Sequence, residues 1–330
     1  MSNSWGLGEK SWWPPGQEAA DEYVAYASEY SKERCAEQFD RVSSLAGSYV
    51  TGDKIGSALK HSIENHIKTR TPGSFIRLGD ADGNALFHRM GKYPALADYC
   101  IRKISKIYFG NDALMGEHSS FFANIVLEAL ENADGIGAPE RVTVLGSFDK
   151  PYPELDVRGM CGMRGVYNYL DEHFDLQKLS QATWTSTWYS RSLLPHYFGL
   201  MKDLPYVGFI TCYPELAGLF QKKAGIKEVE TILVPMQSSI AYQTKRAPHM
   251  AKDIGHYPGA YPNILDAIKP PHDGAVYIIA AGILSKSYCT AVKQRGGISI
   301  DVGSVADVWM NTRSRPDMGA DITKWSLLEA

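Results

Sequence analysis

The sequence predicts an α/β protein built on a mostly parallel sheet, and three observations carry that prediction. Short apolar runs alternate with helix-periodic segments from about residue 71 onward, the pattern of βαβ units. The run Phe75-Ile76-Arg77-Leu78 stops abruptly at Gly79-Asp80-Ala81-Asp82-Gly83, and Asn84 to Met90 then reads as the opening of a helix. Near the other end, Ala275–Ala281 is an apolar run closed by Gly282, followed by a helix to about Gln294, Gly296-Gly297 and a further run Ile298-Ser299-Ile300.

Composition sets the outer bounds. A chain of 330 residues has material for one large domain or two ordinary ones. Hydrophobic residues at 44% and charged residues at 22% fit a soluble globular protein. A net charge of −3 argues against non-specific nucleic-acid binding, which needs a basic footprint. The five cysteines (Cys35, Cys100, Cys161, Cys212, Cys289) are scattered without a CxxC pair, so free thiols are expected rather than a zinc site or disulfide framework. Residues 1–15 hold Trp5, Trp12 and Trp13 but lack the basic start and apolar run of a signal peptide. These tryptophans are expected to pack back on their own domain. No stretch has the length and apolarity of a membrane span, so a soluble, cytoplasmic protein is expected.

Taken in order, Gln17 to Ala46 reads as one helix, with Cys35, Phe39, Val42 and Ala46 at helical spacing and Gly47 as its stop. A second helix starts near Asp53 and carries Ile55, Leu59, Ile63 and Ile67 on one stripe. His61 and His66 are five residues apart, share no helix face, and read as surface or packing residues. These elements form an N-terminal helical region over residues 1–70, a layer on the sheet or an interaction surface. Thr71-Pro72-Gly73 breaks the pattern and opens a domain spanning 71–330. Leu96–Ile107 and Ser119–Ala133 read as helices, Val142–Leu145 as a short β-branched run, and Lys150–Arg164 as a loop rich in Pro, Gly and charge. Strands are expected at Trp184–Trp188, Tyr206–Thr211 and Thr231–Pro235, each followed by helical material. Gln243–Pro262 is polar and broken; it carries Lys245, Arg246, His249 and His256, which suit either an anionic ligand or a solvated loop.

Two stretches carry chemistry. Asp80 and Asp82 in a turn after a strand suit a hard divalent cation, which prefers oxygen ligands and shares them with phosphates. Asp-x-Asp-Gly is equally compatible with a plain turn. The Gly282 turn leads to Ser285 at the expected N-cap, and a helix N-terminus there would bind phosphate, with Lys286 adding a point charge. A structural crossover is the bland alternative, because neither GxGxxG nor a P-loop is present.

Together these stretches resemble the GT-D fold family of bacterial glycosyltransferases. One likeness is Arg-x-Gly-Asp-x-(Glu or Asp), here Arg77, Gly79, Asp80 and Asp82. The other is Gly-x-x-x-Lys leading to Gly-Gly-x-x-x-Asp-x-Gly, here Gly282, Lys286, Gly296, Gly297, Asp301 and Gly303. Ala133-Asp134-Gly135-Ile136-Gly137 is similar to a family turn after a helix. The second acid is usually Glu in the family; Asp82 stands there in this chain. The resemblance covers roughly Gly73 to Trp309. It implies a Rossmann-like, mostly parallel sheet with helices on both faces. It also implies a hexosyltransferase that moves sugar from a nucleotide diphosphate sugar, with a UDP-sugar as donor, to a saccharide or glycoconjugate in polysaccharide biosynthesis. Mn²⁺ or Mg²⁺ would be held by Asp80 and Asp82. Arg77, Gly79, Gly282, Ser285, Lys286 and Gly303 would line the donor site. Asp80, Asp82 and Asp301 would carry the chemistry, with Asp149 and Glu154 as further candidates for the base. A homo-oligomer is compatible with the sequence.

Two rivals remain at this stage. Asp80-Ala81-Asp82-Gly83-Asn84 approaches the Asp-x-Asp-Gly-Thr of haloacid-dehalogenase-type phosphatases, with Ser147, Lys286, Asp301 and Asp307 in suitable order. Asn84 in place of Thr and Gly79 in place of an apolar residue count against it. The other rival is a non-catalytic nucleotide-binding or interaction module.

Overall fold

In a computed structural model the chain is described over residues 16–45, 49–50, 54–116, 118–149, 156–244, 255–312, 314 and 324–328. Trp5, Trp12, Trp13, Asp53, Glu154, Lys245, Arg246 and His249 lie outside these. Eight strands form one sheet: β1 (Tyr49–Val50), β2 (Gly73–Arg77), β3 (Gly135–Ala138), β4 (Thr183–Ser186), β5 (Tyr206–Thr211), β6 (Glu228–Leu233), β7 (Val276–Ala280) and β8 (Ile298–Asp301). Their order is β1-β4-β3-β2-β8-β7-β5-β6. All pairs are parallel, with Phe75 opposite both Gly135 and Ile300, and Ile279 opposite Asp301. Helices cover both faces, so the expected α/β architecture with a Rossmann-like parallel sheet and preceding helices is what the chain adopts. The strands read as continuous buried runs, as a sheet covered on both sides requires: β5 and β3 are buried throughout. The chain leaves β2 toward β3 and β5 toward β6, on opposite sides, which opens a crevice at the carboxyl ends between them.

The leading segment is two helices rather than one, Gln17–Glu29 and Lys32–Leu45. Tyr30 leaves helical geometry, and Ser31 Oγ accepts from the Arg34 N–H, capping the second helix. The helical spacing of Cys35, Phe39 and Val42 hid this break because both helices bury their stripes in the same core as the sheet. The third helix, Lys54–Thr69, buries Leu59 and Ile63 as its stripe predicts. Before β2, His66 Nδ1 donates to the Thr71 carbonyl and the ring packs edge-on to Phe75, a packing role.

Three readings change. Val142–Leu145 is helical (Arg141–Gly146), and the strand is instead Gly135–Ala138, overlapping the end of the Ala133–Gly137 run read as a turn. Two glycines with one isoleucine and one alanine carry little strand propensity; burial between β2 and β4 decides. The stretch read as a loop from Lys150 to Arg164 is helical from Val157, in a helix running to His173. Asp156 caps it by accepting the Gly159 N–H. Its glycines serve close contact with the Asp80–Met90 helix. A Cβ on Gly83 would stand 1.7 Å from the Gly162 carbonyl oxygen, and one on Gly162 would stand 2.1 Å from that of Asp80. The five cysteines are free and buried, as expected. Among the described residues no helix is long and apolar enough to cross a membrane.

Candidate functional site

The acidic pair does not lie in a loop. The helix starts at Asp80, placing both acids in its first turn, where the helix dipole favours negative charge. Asp82 is the third residue of that helix and its Oδ2 accepts the Gly79 N–H at 2.8 Å. This is the reach-back half of a capping box, which explains why the chain turns helical four residues earlier than the expected start at Asn84.

The two informative stretches converge. The Gly282 turn follows β7, Asp301 ends β8, and both face the start of the Asp80 helix across one cleft at the carboxyl ends of the strands. Arg77, Gly79, Asp80, Asp82, Gly282, Lys286, Asp301 and Gly303 all line it. Lys286 reaches between two carboxylates, its Nζ 3.2 Å from Asp82 Oδ2 and 3.3 Å from Asp301 Oδ2. All three side chains are buried. Asp301 Oδ1 accepts the Gly303 N–H at 3.0 Å. Tyr189, also buried, points its hydroxyl at the carbonyls of Phe75 (2.9 Å) and Asp301 (3.0 Å), tying the middle of β2 to the end of β8.

Burial would lower the Lys286 pKa, but the Asp82 and Asp301 carboxylates outweigh it and raise it, so the ammonium is held charged. Asp82 moves the other way from a normally paired acid. Burial raises its pKa, and the attraction of Lys286 and the Gly79 N–H only partly offsets this. The asymmetry has a physical source: one ammonium is shared by two carboxylates, and Asp82 Oδ1 is buried with no hydrogen-bond partner. With a folded pKa above the unfolded value, ionised Asp82 costs stability as pH rises through that range. A buried carboxylate oxygen without a hydrogen-bond partner suits a cationic ligand.

Asp80 pairs with Arg158, which also holds Asp156 at 2.7 Å. The Arg158 side chain is only 9% exposed, whereas Asp80 keeps 30%. Arg77 donates from Nε to the Thr187 carbonyl at 2.8 Å. Its Nη1 lies against Gly303, where a Cβ would stand 1.8 Å away; Gly303 has φ of 50°. Gly282 likewise has a positive φ of 61°.

Some expected site residues fall elsewhere. Ser285 is not an N-cap. A 3-10 turn over Gly282–Leu284 precedes the Ser285–Gln294 helix, and Ser285 itself has helical backbone angles (φ −50°, ψ −35°), with Leu284 before it at the N-cap. Ser285 Oγ instead accepts the Ala281 N–H at 3.1 Å, bracing the turn from below the cleft. Asp149 is exposed and paired with Lys32 at 2.7 Å, away from the cleft. Ser147 is buried under Arg164, so the phosphatase-type motif set is not assembled.

Of the other lining residues, the sequence marked only Asp307 and His256, and neither for the donor site. Trp188, two residues past β4, carries the Arg191 guanidinium 4.3 Å from its ring centroid. Asp307 accepts from Tyr213 and Ser314. Tyr108 and Phe109 form the opposite wall with His256. The signal available for Trp188 and Tyr213 was their place just beyond strand carboxyl ends; nothing in the sequence marked Arg158.

His256 is stacked near Tyr288 and its Nε2 lies 2.9 Å from that hydroxyl. Burial pushes its pKa down to about 3 from 6.5, so it is a neutral wall residue rather than a cation for an anionic ligand. The unfolded chain binds a proton that the native state refuses between these values, so stability falls as pH drops below about 6.5. Between pH 7.5 and 5, urea unfolding of the parent should lose about 2 kcal/mol more than that of His256→Gln. Equal losses would show that His256 is not buried neutral.

The chain's side chains permit a test of the implied divalent cation. Among the described residues no group of three or more His, Cys, Asp or Glu side chains is arranged to hold a metal. The cleft offers the exposed part of Asp80 and the orphaned Asp82 Oδ1. Two carboxylates suffice when phosphate oxygens and water complete the shell, as is usual for Mg²⁺. The donor set therefore fits a cation bound jointly with a diphosphate.

No family model matches this chain, and no curated protein matches it. Two solved structures are similar to it. One is described as a selenomethionine-substituted structure of domain of unknown function 1792, with 13% identity, TM-score 0.42, covering 82% of this chain and 83% of that one. The other is described as showing that the highly conserved domain of unknown function 1792 has a distinct glycosyltransferase fold. It too has 13% identity and TM-score 0.42, covering 81% of this chain and 82% of that one.

Proposed function

We propose that the chain is a glycosyltransferase that takes a sugar from a nucleotide diphosphate sugar, with UDP as the nucleotide, and passes it to a saccharide or glycoconjugate acceptor. The observation that carries this reading is the meeting of Asp80, Asp82, Lys286, Asp301 and Arg77 in one cleft at the strand ends. Breaking the sugar–phosphate bond through an oxocarbenium-like state leaves negative charge on the departing diphosphate. Arg77 and the Gly282 turn are placed to receive that charge, with preorganised donors that need no reorientation. Mn²⁺ or Mg²⁺, held through Asp80 and Asp82 Oδ1, supplies further charge neutralisation when bound. Trp188, with Arg191 against it, offers a flat surface for a nucleobase. Asp301 and Asp307, the latter held by Tyr213 and Ser314, are the lining carboxylates we assign to take the acceptor proton.

A donor screen tests this: nucleotide sugars with Mn²⁺ are incubated with the protein and release of nucleoside diphosphate is measured. One donor should be turned over, and Asp82→Asn should lower the rate by about 10²-fold or more, the scale of losing a charge-stabilising group. Turnover unchanged in Asp82→Asn overturns the assigned role. Hydrolysis of an aryl phosphate that is lost in Asp80→Asn would favour the phosphatase reading instead.

A further inference from the structure

We infer that the acceptor enters as a neutral sugar residue stacked on Tyr108 and Phe109, at the end of the cleft away from Trp188. The inference rests on the function proposed above and adds the place and the chemical class of the acceptor.

Strand order carries the argument. Arg77 belongs to β2, Gly303 follows β8 and the Gly282 turn follows β7, so the seat proposed for the diphosphate spans three adjacent strands. Trp188 lies past β4, on one side of that seat. Tyr213 and Pro235 lie past β5 and β6, on the other side, and both line the cleft. A nucleotide sugar carries its base and its sugar at opposite ends of the diphosphate. With the base on Trp188, the sugar and the hydroxyl that attacks it lie toward β5 and β6. Tyr108 and Phe109, at the end of the Pro94–Phe109 helix, wall this part of the cleft. The Ser238–Thr244 helix that follows β6 packs against theirs. Tyr108 also borders the Gly282 turn, where a Cβ would stand 2.7 Å from its ring. Asp307 is tied to the same end, because its Oδ1 accepts from the Tyr213 hydroxyl.

The chemistry of this wall selects the class. Tyr108 and Phe109 are half-buried, and the Phe109 ring is braced by His256 and Tyr257, each 6.4 Å away between centroids. His256 is neutral, and Ile240 and Pro235 complete a wall without formal charge. The face of an aromatic ring is electronegative and suits the slightly positive C–H groups on one face of a pyranose. The cleft's lining cations are engaged elsewhere: Arg77 at the Thr187 carbonyl, Lys286 between Asp82 and Asp301, and Arg191 over Trp188. A phosphate or uronate on the aromatic wall would give up water and meet no cation there, which is costly for a charged group.

Saturation-transfer NMR on the full-length protein, with UDP and Mg²⁺ present, tests this without turnover. The probes are the methyl glycosides of glucose, galactose, mannose, rhamnose and N-acetylglucosamine, with glucuronate and glucose 6-phosphate as anionic counterparts. Irradiation of aromatic protons should pass saturation to the C–H protons of at least one neutral glycoside and to neither anionic sugar. Phe109→Leu and Tyr108→Leu keep an apolar side chain but remove the ring. Each should weaken the bound glycoside about fivefold, the scale of one aromatic contact, and leave UDP affinity unchanged. Trp188→Leu should do the reverse, weakening UDP about tenfold, the scale of one stacked base. Anionic sugars that bind as well as the neutral ones overturn the inference, as does silence from the whole neutral panel; UDP binding then leaves the transferase reading standing. UDP weakened by Phe109→Leu but not by Trp188→Leu puts the base on the aromatic wall and overturns the inference as well. UDP that binds under no condition overturns the transferase reading and the inference together. The choice between neutral and anionic sugars is read on the wild-type protein, so a variant that misfolds does not remove the test.

Discussion

Lys286→Met is expected to destabilise the fold by about 3–5 kcal/mol at pH 8, the scale of removing one partner from a buried ion pair. Lys286 is 5% exposed and stands between side chains of Asp82 and Asp301 that are 4% and 3% exposed. Methionine is unbranched and one atom shorter, and leaves two buried carboxylates facing each other with no cation between them. One of them must then take up a proton, its pKa raised by burial and by its neighbour. The sign follows. An acid whose folded pKa is raised above its unfolded value favours the folded state below that value and loses this as pH rises. The deficit of Lys286→Met relative to wild type should therefore shrink as pH falls from 8 to 5. Urea midpoints across this range check both statements. A deficit below about 1 kcal/mol, or one that does not depend on pH, would mean the ammonium is not buried in the ion pair.

Gly162→Ala should be among the costliest single-methyl changes in the molecule, at about 3 kcal/mol or more, the upper end for overpacking a filled core. Mid-helix glycine to alanine ordinarily stabilises a helix by up to about 1 kcal/mol. Here the added Cβ would stand 2.1 Å from the Asp80 carbonyl oxygen and 2.7 Å from Asn84 Nδ2. Neither can retreat. The Asp80 carbonyl belongs to the helix backbone, and Asn84 Nδ2 is held by both that carbonyl and the Arg158 carbonyl at 2.7 and 3.0 Å. The two helices must separate, which also pulls Asp80 from Arg158. Gly218→Ala is the control: this helical glycine is exposed and nothing lies within 4 Å of its added Cβ. It should be neutral or mildly stabilising. Opposite signs for the two substitutions in thermal melts are the expected outcome; equal effects would mean the helix crossing is loose.

Much of this arrangement was legible because strand and helix periods leave strong traces. Tyr206–Thr211 and the βαβ unit around Gly282 fall where their apolar runs place them. The errors have local causes. Gly135–Ala138 became a strand through its neighbours' pairing, not its own propensity. Val157–Arg164 looked like loop because glycine usually breaks helices, whereas Gly162 and Gly165 are there for contact with the neighbouring helix. The same misreading hid Arg158, whose partner Asp80 is 78 positions away in the chain. Pairings of that separation depend on how two helices cross, which no local pattern encodes. Which residue types gather at the cleft was readable; which charge neutralises which was not.

Arg77 has a mechanical consequence. Its Nε grips the carbonyl just past β4, its Nη1 presses on Gly303 just past β8, and its backbone belongs to β2 lying between them. Three strand ends are thereby riveted into a single jaw. Any breathing of the cleft to admit or release a bulky molecule must be taken up by the facing jaw, where Tyr108, Phe109 and His256 stand on helices rather than on the sheet.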